Sequence, residues 1–165
     1  MTSTKTLLAG IAAVAVLDGL EPVIFYALRG VRPIRVFQGI AAGLLGRESF
    51  NGGIPTMLLG MGLHLFIASV VVLVYWLASR KWSGLTERPV RYGVLYGLMV
   101  YVVMSFGVVP LSAAGSGIRM PPPVMLANGI FAHLFCVGLP TAFAVRAAAR
   151  ARMRETPPHA PRQPD

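Results

Sequence analysis

Asp18, Glu21, His64 and His133 are acidic or imidazole side chains that lie deep inside long apolar stretches of this sequence. A charged group at the middle of a lipid-embedded helix costs about 2.5–3.5 kcal/mol on insertion scales, so two acids on one helix either point inward or carry protons. Asp18 and Glu21 are three residues apart and so share a helix face. Pro22 sits beside them, and a helical proline leaves unpaired the carbonyl four residues earlier, which is that of Asp18. Carboxyl groups bind protons and cations, and histidine titrates near neutrality. An acid and an imidazole in contact therefore make a relay for a proton or a seat for an ion. Ser105 adds a hydroxyl from a third apolar stretch.

Two other chemistries use the same residues. Two histidines facing each other suit axial ligation of a haem, and adding Asp18 to His64 and His133 gives a set suited to a zinc- or iron-like ion. A third reading is structural, because transmembrane histidines also serve as interhelical hydrogen-bond donors, at about 0.6 kcal/mol each. No H-E-x-x-H, C-x-x-C, G-x-S-x-G or phosphate-binding loop is present, which argues against an enzyme. The single cysteine, Cys136, excludes an intrachain disulfide framework and an all-cysteine metal cage.

The elements that must position these groups are membrane helices. The 165 residues are 55% hydrophobic and only 13% charged. That balance leaves more apolar surface than a soluble globule of this size can bury. Four stretches, about 6–28, 55–78, 92–111 and 124–145, reach the roughly 20 residues that a helix needs to cross a bilayer core. The expected fold is all-α, a four-transmembrane-helix bundle spanning residues 1–150. At about 1.5 Å of rise per residue, Asp18, His64 and His133 all fall roughly 15 Å from one surface of a ~30 Å core, near its midplane.

Between the first two spans, Val36, Phe37, Ile40, Ala41, Leu44 and Leu45 recur at helical spacing. This predicts a short amphipathic helix at about 34–46, too short to span and either interfacial or re-entrant. After Arg146 the chain becomes rich in alanine and arginine, and Pro157, Pro158, Pro161 and Pro164 follow, so residues 151–165 read as a disordered basic tail.

The net charge of +9 does not point to nucleic acid, because the arginines sit at the edges of apolar segments without interleaved stacking aromatics. They read as flanking charges. Lys5, Arg80, Lys81, Arg88, Arg91, Arg146, Arg150, Arg152, Arg154 and Arg162 gather on one side, against Arg29, Arg32, Arg35, Arg47 and Arg119 on the other. The positive-inside rule then places both ends in the cytoplasm, with Tyr75, Trp76, Trp82 and Tyr92 as an aromatic belt. The expected partners are the bilayer itself, anionic lipids at the basic tail, and a second copy of the chain through Gly93-x-x-x-Gly97.

An internal repeat runs through these elements. Gly60-x-x-x-His64-Leu65-Phe66 in the second span matches Gly129-x-x-x-His133-Leu134-Phe135 in the fourth, and Gly19-x-x-Pro22 matches Gly107-x-x-Pro110. Two spans per unit predict tandem helical hairpins related by an axis along the membrane normal. The G-x-x-x-H of the second span, Gly93-x-x-x-Gly97, Pro110, the run Pro121-Pro122-Pro123 and the histidine of the fourth span together resemble the YagU-like bacterial inner-membrane proteins, over roughly residues 55–140. That resemblance implies a bacterial inner-membrane location and a role in acid or envelope stress. It supplies no cofactor and no catalytic residue, and the Asp18/Glu21 pair lies outside the stretch that it covers. The residues favour a proton- or ion-linked transport component with a midplane site of Asp18, Glu21, His64, Ser105 and His133.

Overall fold

The computed structural model describes residues 2–115, 117 and 120–155. The chain is helical throughout its ordered elements, and four helices are long and apolar enough to cross a membrane. We label the helices α1 (Ser3–Ala27), α2 (Pro33–Leu45), α3 (Gly53–Ser79), α4 (Gly84–Glu87), α5 (Pro89–Leu111) and α6 (Pro123–Glu155). Prolines open α2, α5 and α6, at the position where a missing N–H costs nothing and a fixed φ favours the helix. Gly30 and Gly46 take positive φ in the turns flanking α2, which L side chains rarely adopt. The last span is longer than its hydrophobic stretch. Alanine and arginine carry α6 on to Glu155, so residues 151–155, expected in the disordered tail, are helical. Ser3 ties this extension to α1, through its backbone N–H to Glu155 Oε1 (2.8 Å) and its hydroxyl to the Ala148 carbonyl (3.0 Å). Arg119, Arg162 and the proline-rich stretch lie outside the described residues.

Lipid offers no hydrophobic reason for helices to associate, so close packing through small residues has to supply it. The contacts follow that rule. The tail-proximal half of α6 packs on both α1 and α5, while α1 also packs on α3. Gly10 of α1 meets Ala144, and Gly93 and Gly97 of α5 lie against Gly138 and His133 of α6 so tightly that a side chain at Gly97 would strike the His133 carbonyl. This corrects the expectation that Gly93 and Gly97 join two copies of the chain. The pair is consumed within one copy.

At the tail end of the bundle the interior is a sealed cluster that includes Val14, Val72, Tyr75, Val100, Val137 and Val145. Tyr75 is 1% exposed rather than in the expected aromatic belt, because its hydroxyl reaches the Leu85 carbonyl (2.9 Å) and its ring meets Tyr96 edge-on. Tyr96 in turn donates to the Val71 carbonyl (2.6 Å). Large apolar side chains such as Leu20, Ile24, Phe66 and Phe135 point outward, half exposed or more, as a lipid-facing surface requires.

The amphipathic helix α2 is folded onto the other end of the bundle. Its Phe37 carbonyl presses on Gly60 of α3, where no Cβ could fit, and buried Gln38 donates to the Gly53 carbonyl (3.1 Å) and to Thr56 Oγ1 (3.3 Å). Thr56 passes the chain on to the Ser49 carbonyl (2.7 Å). At the far end of α2, Ala113 N–H donates to the Gly43 carbonyl (3.0 Å), fastening it to the segment after α5. α2 therefore bridges α3 and α5.

The packing predicts opposite outcomes at two glycines of α5. Gly97→Ala should lower stability by about 1–3 kcal/mol, as overpacking does. Gly107→Ala, where an added Cβ meets nothing within 4 Å, should be neutral or stabilising by up to about 1 kcal/mol. Thermal unfolding of the purified protein in detergent reads both, and equal effects would contradict the α5–α6 contact.

Candidate functional site

Between the sealed cluster and α2 the four long helices part around a cavity of about 680 Å³. Asp18, Glu21, His64, Ser105 and His133, contributed by all four, line this one cavity. α2 supplies Arg35, Val36, Gly39, Ile40 and Gly43 as a further wall.

The closest polar pair is Asp18 and His64, with Oδ2 and Nδ1 3.9 Å apart. That separation allows charge attraction but exceeds a direct hydrogen bond. Three features bring the ring there. Gly60 lets α2 and α3 close up one turn before His64; Gly19 leaves room beside the ring, since a Cβ at Gly19 would stand 3.1 Å from Nε2; and Nε2 lies 2.8 Å from the Ala15 carbonyl on α1. A carbonyl can only accept, so Nε2 carries the hydrogen. Nδ1, the nitrogen facing Asp18, is therefore the one that gains or loses a proton. Partners that fix one ring nitrogen in this way set the chemistry of the other.

His133 is held by the mirror arrangement. Its Nδ1 lies 2.8 Å from the Gly129 carbonyl of its own helix, so Nδ1 donates and Nε2 is the open position. The Tyr101 ring meets the imidazole edge-on at 5.4 Å and also fills the space left by Gly129. The two histidines, alike in their sequence contexts, thus spend opposite nitrogens, one across helices and one within its own.

Both α5 and α6 widen to π-helical turns at the cavity, over Met104–Val108 and His133–Gly138. Such single-turn widenings concentrate at functional sites. Here they place Ser105 and His133 on the wall. In α6 the widening falls where Gly93 and Gly97 press against its backbone.

The cavity also holds polar groups that the sequence reading passed over. Asn128 lies beside the Glu21 carboxyl, and Tyr26 donates to Met125 Sδ (3.6 Å) where α1 meets α6. Arg35 reads from the sequence as a headgroup-facing cation, yet it lines the cavity and donates to the Phe50 carbonyl (2.7 Å). A signal for Asn128 was present, as a lone amide in an apolar span. None distinguished Arg35 from its neighbours. Among the described residues, no three His, Cys, Asp or Glu side chains converge as a metal-holding group, so Asp18, His64 and His133 do not form a ready ligand set.

The hydrogen-bonding pattern predicts two tautomers. Histidine ¹⁵N spectra in basic solution should show His64 protonated at Nε2 and His133 at Nδ1, each assigned by a His→Gln variant. Gly19→Ala should perturb the His64 signal and leave that of His133 unchanged. The reverse tautomer at His64 would remove Nδ1 as the exchangeable position. No family model, curated protein or solved structure matches this chain.

Proposed function

We propose that this chain is a proton- or ion-linked transport component of a bacterial inner membrane, with both termini in the cytoplasm. One observation carries the reading: a carboxyl and an imidazole with an open nitrogen face each other at 3.9 Å on the wall of a half-open cavity between apolar helices. Ionisable groups at that depth are costly, and they mark ion and proton pathways in membrane proteins.

In the exchange we envisage, Asp18 and His64 share one proton. With the proton on Nδ1 they are an ion pair; with it on Oδ2 both are neutral. Glu21, one turn nearer the α2 end and beside Asn128, relays between this pair and that end of the cavity. The valine cluster closes the tail end of the cavity, and α2 walls its other end. Transport then requires a second state in which α1 and α6 part at the tail end. Rocking of one helical pair against another is the usual form of such a change, and the repeated Gly-x-x-x-His-Leu-Phe motif supports two such pairs. A wall only four helices thick further favours a homo-oligomer.

The basic end of α6 fits the anionic lipids of a cytoplasmic leaflet. Arg146, Arg150 and Arg154, four residues apart, border a crevice with Thr6 and Phe143, and each such charge contributes about 1 kcal/mol near an anionic surface. The resemblance to YagU-like proteins extends the proposal to acid or envelope stress.

Two measurements test it. Proteoliposomes holding the wild-type chain should dissipate an imposed pH gradient, and Asp18→Asn should abolish the flux while leaving insertion intact, because the amide keeps the shape and loses the proton. Flux unchanged in Asp18→Asn would leave the polar layer a purely structural device. Reporter fusions to the C-terminus should be active on the cytoplasmic side, and an external tail would overturn the orientation.

A further inference from the structure

The cavity is larger and more apolar than a proton relay needs. A bare inorganic cation, for its part, needs several oxygens converging at about 2.0–2.6 Å, and the described carboxyl and imidazole groups do not converge in that way. The cavity instead offers about 680 Å³, within the roughly 300–1,000 Å³ typical of sites for drug-sized molecules. Most of its wall is aliphatic, with Ile67, Val71, Val100 and Val108 among the side chains that face it. Its charges are unbalanced. Among the described residues of the lining, Asp18 and Glu21 stand against one Lys or Arg, Arg35, which is already turned to the Phe50 carbonyl. Once the proton shared by Asp18 and His64 has left and both imidazoles are neutral, two negative charges and one positive leave a net charge of −1. Tyr26 and Phe50 add aromatic rings to the wall, the Phe50 ring already lying under the Arg35 guanidinium at 5.6 Å to its centre.

We infer that the cavity binds a monovalent lipophilic organic cation, such as a quaternary ammonium or phosphonium with an apolar body. Its charge is held at Asp18 and Glu21, and its body lies against the aliphatic wall. The inference rests on the proposed proton-exchanging role of Asp18, since proton and organic cation then compete for one carboxylate and cannot occupy it together. His64 from α3 and His133 from α6 act on that carboxylate, and Glu21 on its own helix, Ser105 from α5, Asn128 from α6 and Arg35 from α2 share the cavity with it. Protonation of either imidazole adds positive charge, so every titration in the cavity acts in the same direction and weakens cation binding as pH falls. Size selectivity follows from Gly39, a wall position where an added Cβ meets nothing within 4 Å. A bulky side chain there narrows the cavity from the α2 wall, while both carboxyls are carried by α1.

Equilibrium binding of tetraphenylphosphonium to the purified full chain in nanodiscs tests this, with triphenylphosphine oxide as the neutral control and size-exclusion profiles confirming that each variant is folded. Saturable binding is expected at about pH 8 and should weaken at least about tenfold at about pH 5, where protons compete with the cation for the carboxylate. Asp18→Asn and Gly39→Phe should each lose about tenfold or more, and the neutral control should not compete. Proton uptake after an acid jump is measured on the same samples, and Asp18→Asn should lack the uptake that the wild-type chain shows. Absence of saturable binding, equal competition by the oxide, or binding indifferent to Gly39→Phe would overturn the inference. If Asp18-dependent proton uptake persists in any of these cases, the transport reading stands without an organic cation. If it is absent as well, both fall.

Discussion

The absence of water from the hydrocarbon layer is the constraint on which the rest of this structure depends. It obliges the backbone to form helices and turns large apolar side chains outward, and it forces Asp18, Glu21, His64 and His133 inward. The interior that results is the reverse of a soluble core. Its tail end is packed with valine, alanine and tyrosine, and its other end holds the polar groups around a cavity. Tyr75 and Tyr96 obey the constraint as well, each spending its hydroxyl on a backbone carbonyl.

Glycine sets the geometry inside that frame. Gly93 and Gly97 let α5 lie on α6, Gly60 lets α2 lie on α3, and Gly19 lets the His64 ring lie against α1. At Gly60 and Gly97 a methyl group would strike the backbone of the neighbouring helix, and at Gly93 and Gly19 it would crowd the partner more closely than ordinary contacts do. The Asp18–His64 separation is therefore governed by contacts made by residues that carry no chemistry. α2 adds a second layer of control: it forms a wall of the cavity and is fastened at one end through Gln38 and Thr56 and at the other through the Ala113–Gly43 bond.

Much of this was legible from residues alone. Run length fixed the four spans to within a few residues, except at α6, where the arginine-rich end reads as tail because hydropathy falls although helix propensity does not. The candidate site was legible for the same reason that it is costly. An acid or a histidine in an apolar run stands out against its background, and helical rise placed Asp18, His64 and His133 at one depth. Arg35 and Tyr26 were harder to read, because each lies near the end of an apolar segment, where polar residues are ordinary.

Composition and period thus determined the membrane-spanning class of this chain, the number of its spans and the depth of its ionisable groups, because the energetic cost of polarity in lipid acts on each residue separately. Tertiary structure alone decided which nitrogen of each histidine is open, that Gly93 and Gly97 face α6 rather than a second copy, that Tyr75 is interior rather than interfacial, and that α2 encloses a cavity. Those outcomes depend on which helix faces meet. Faces meet through pairs of residues far apart in the chain, such as Gly97 with His133, or Gly60 with Phe37, and periodicity within one helix carries no information about its partner.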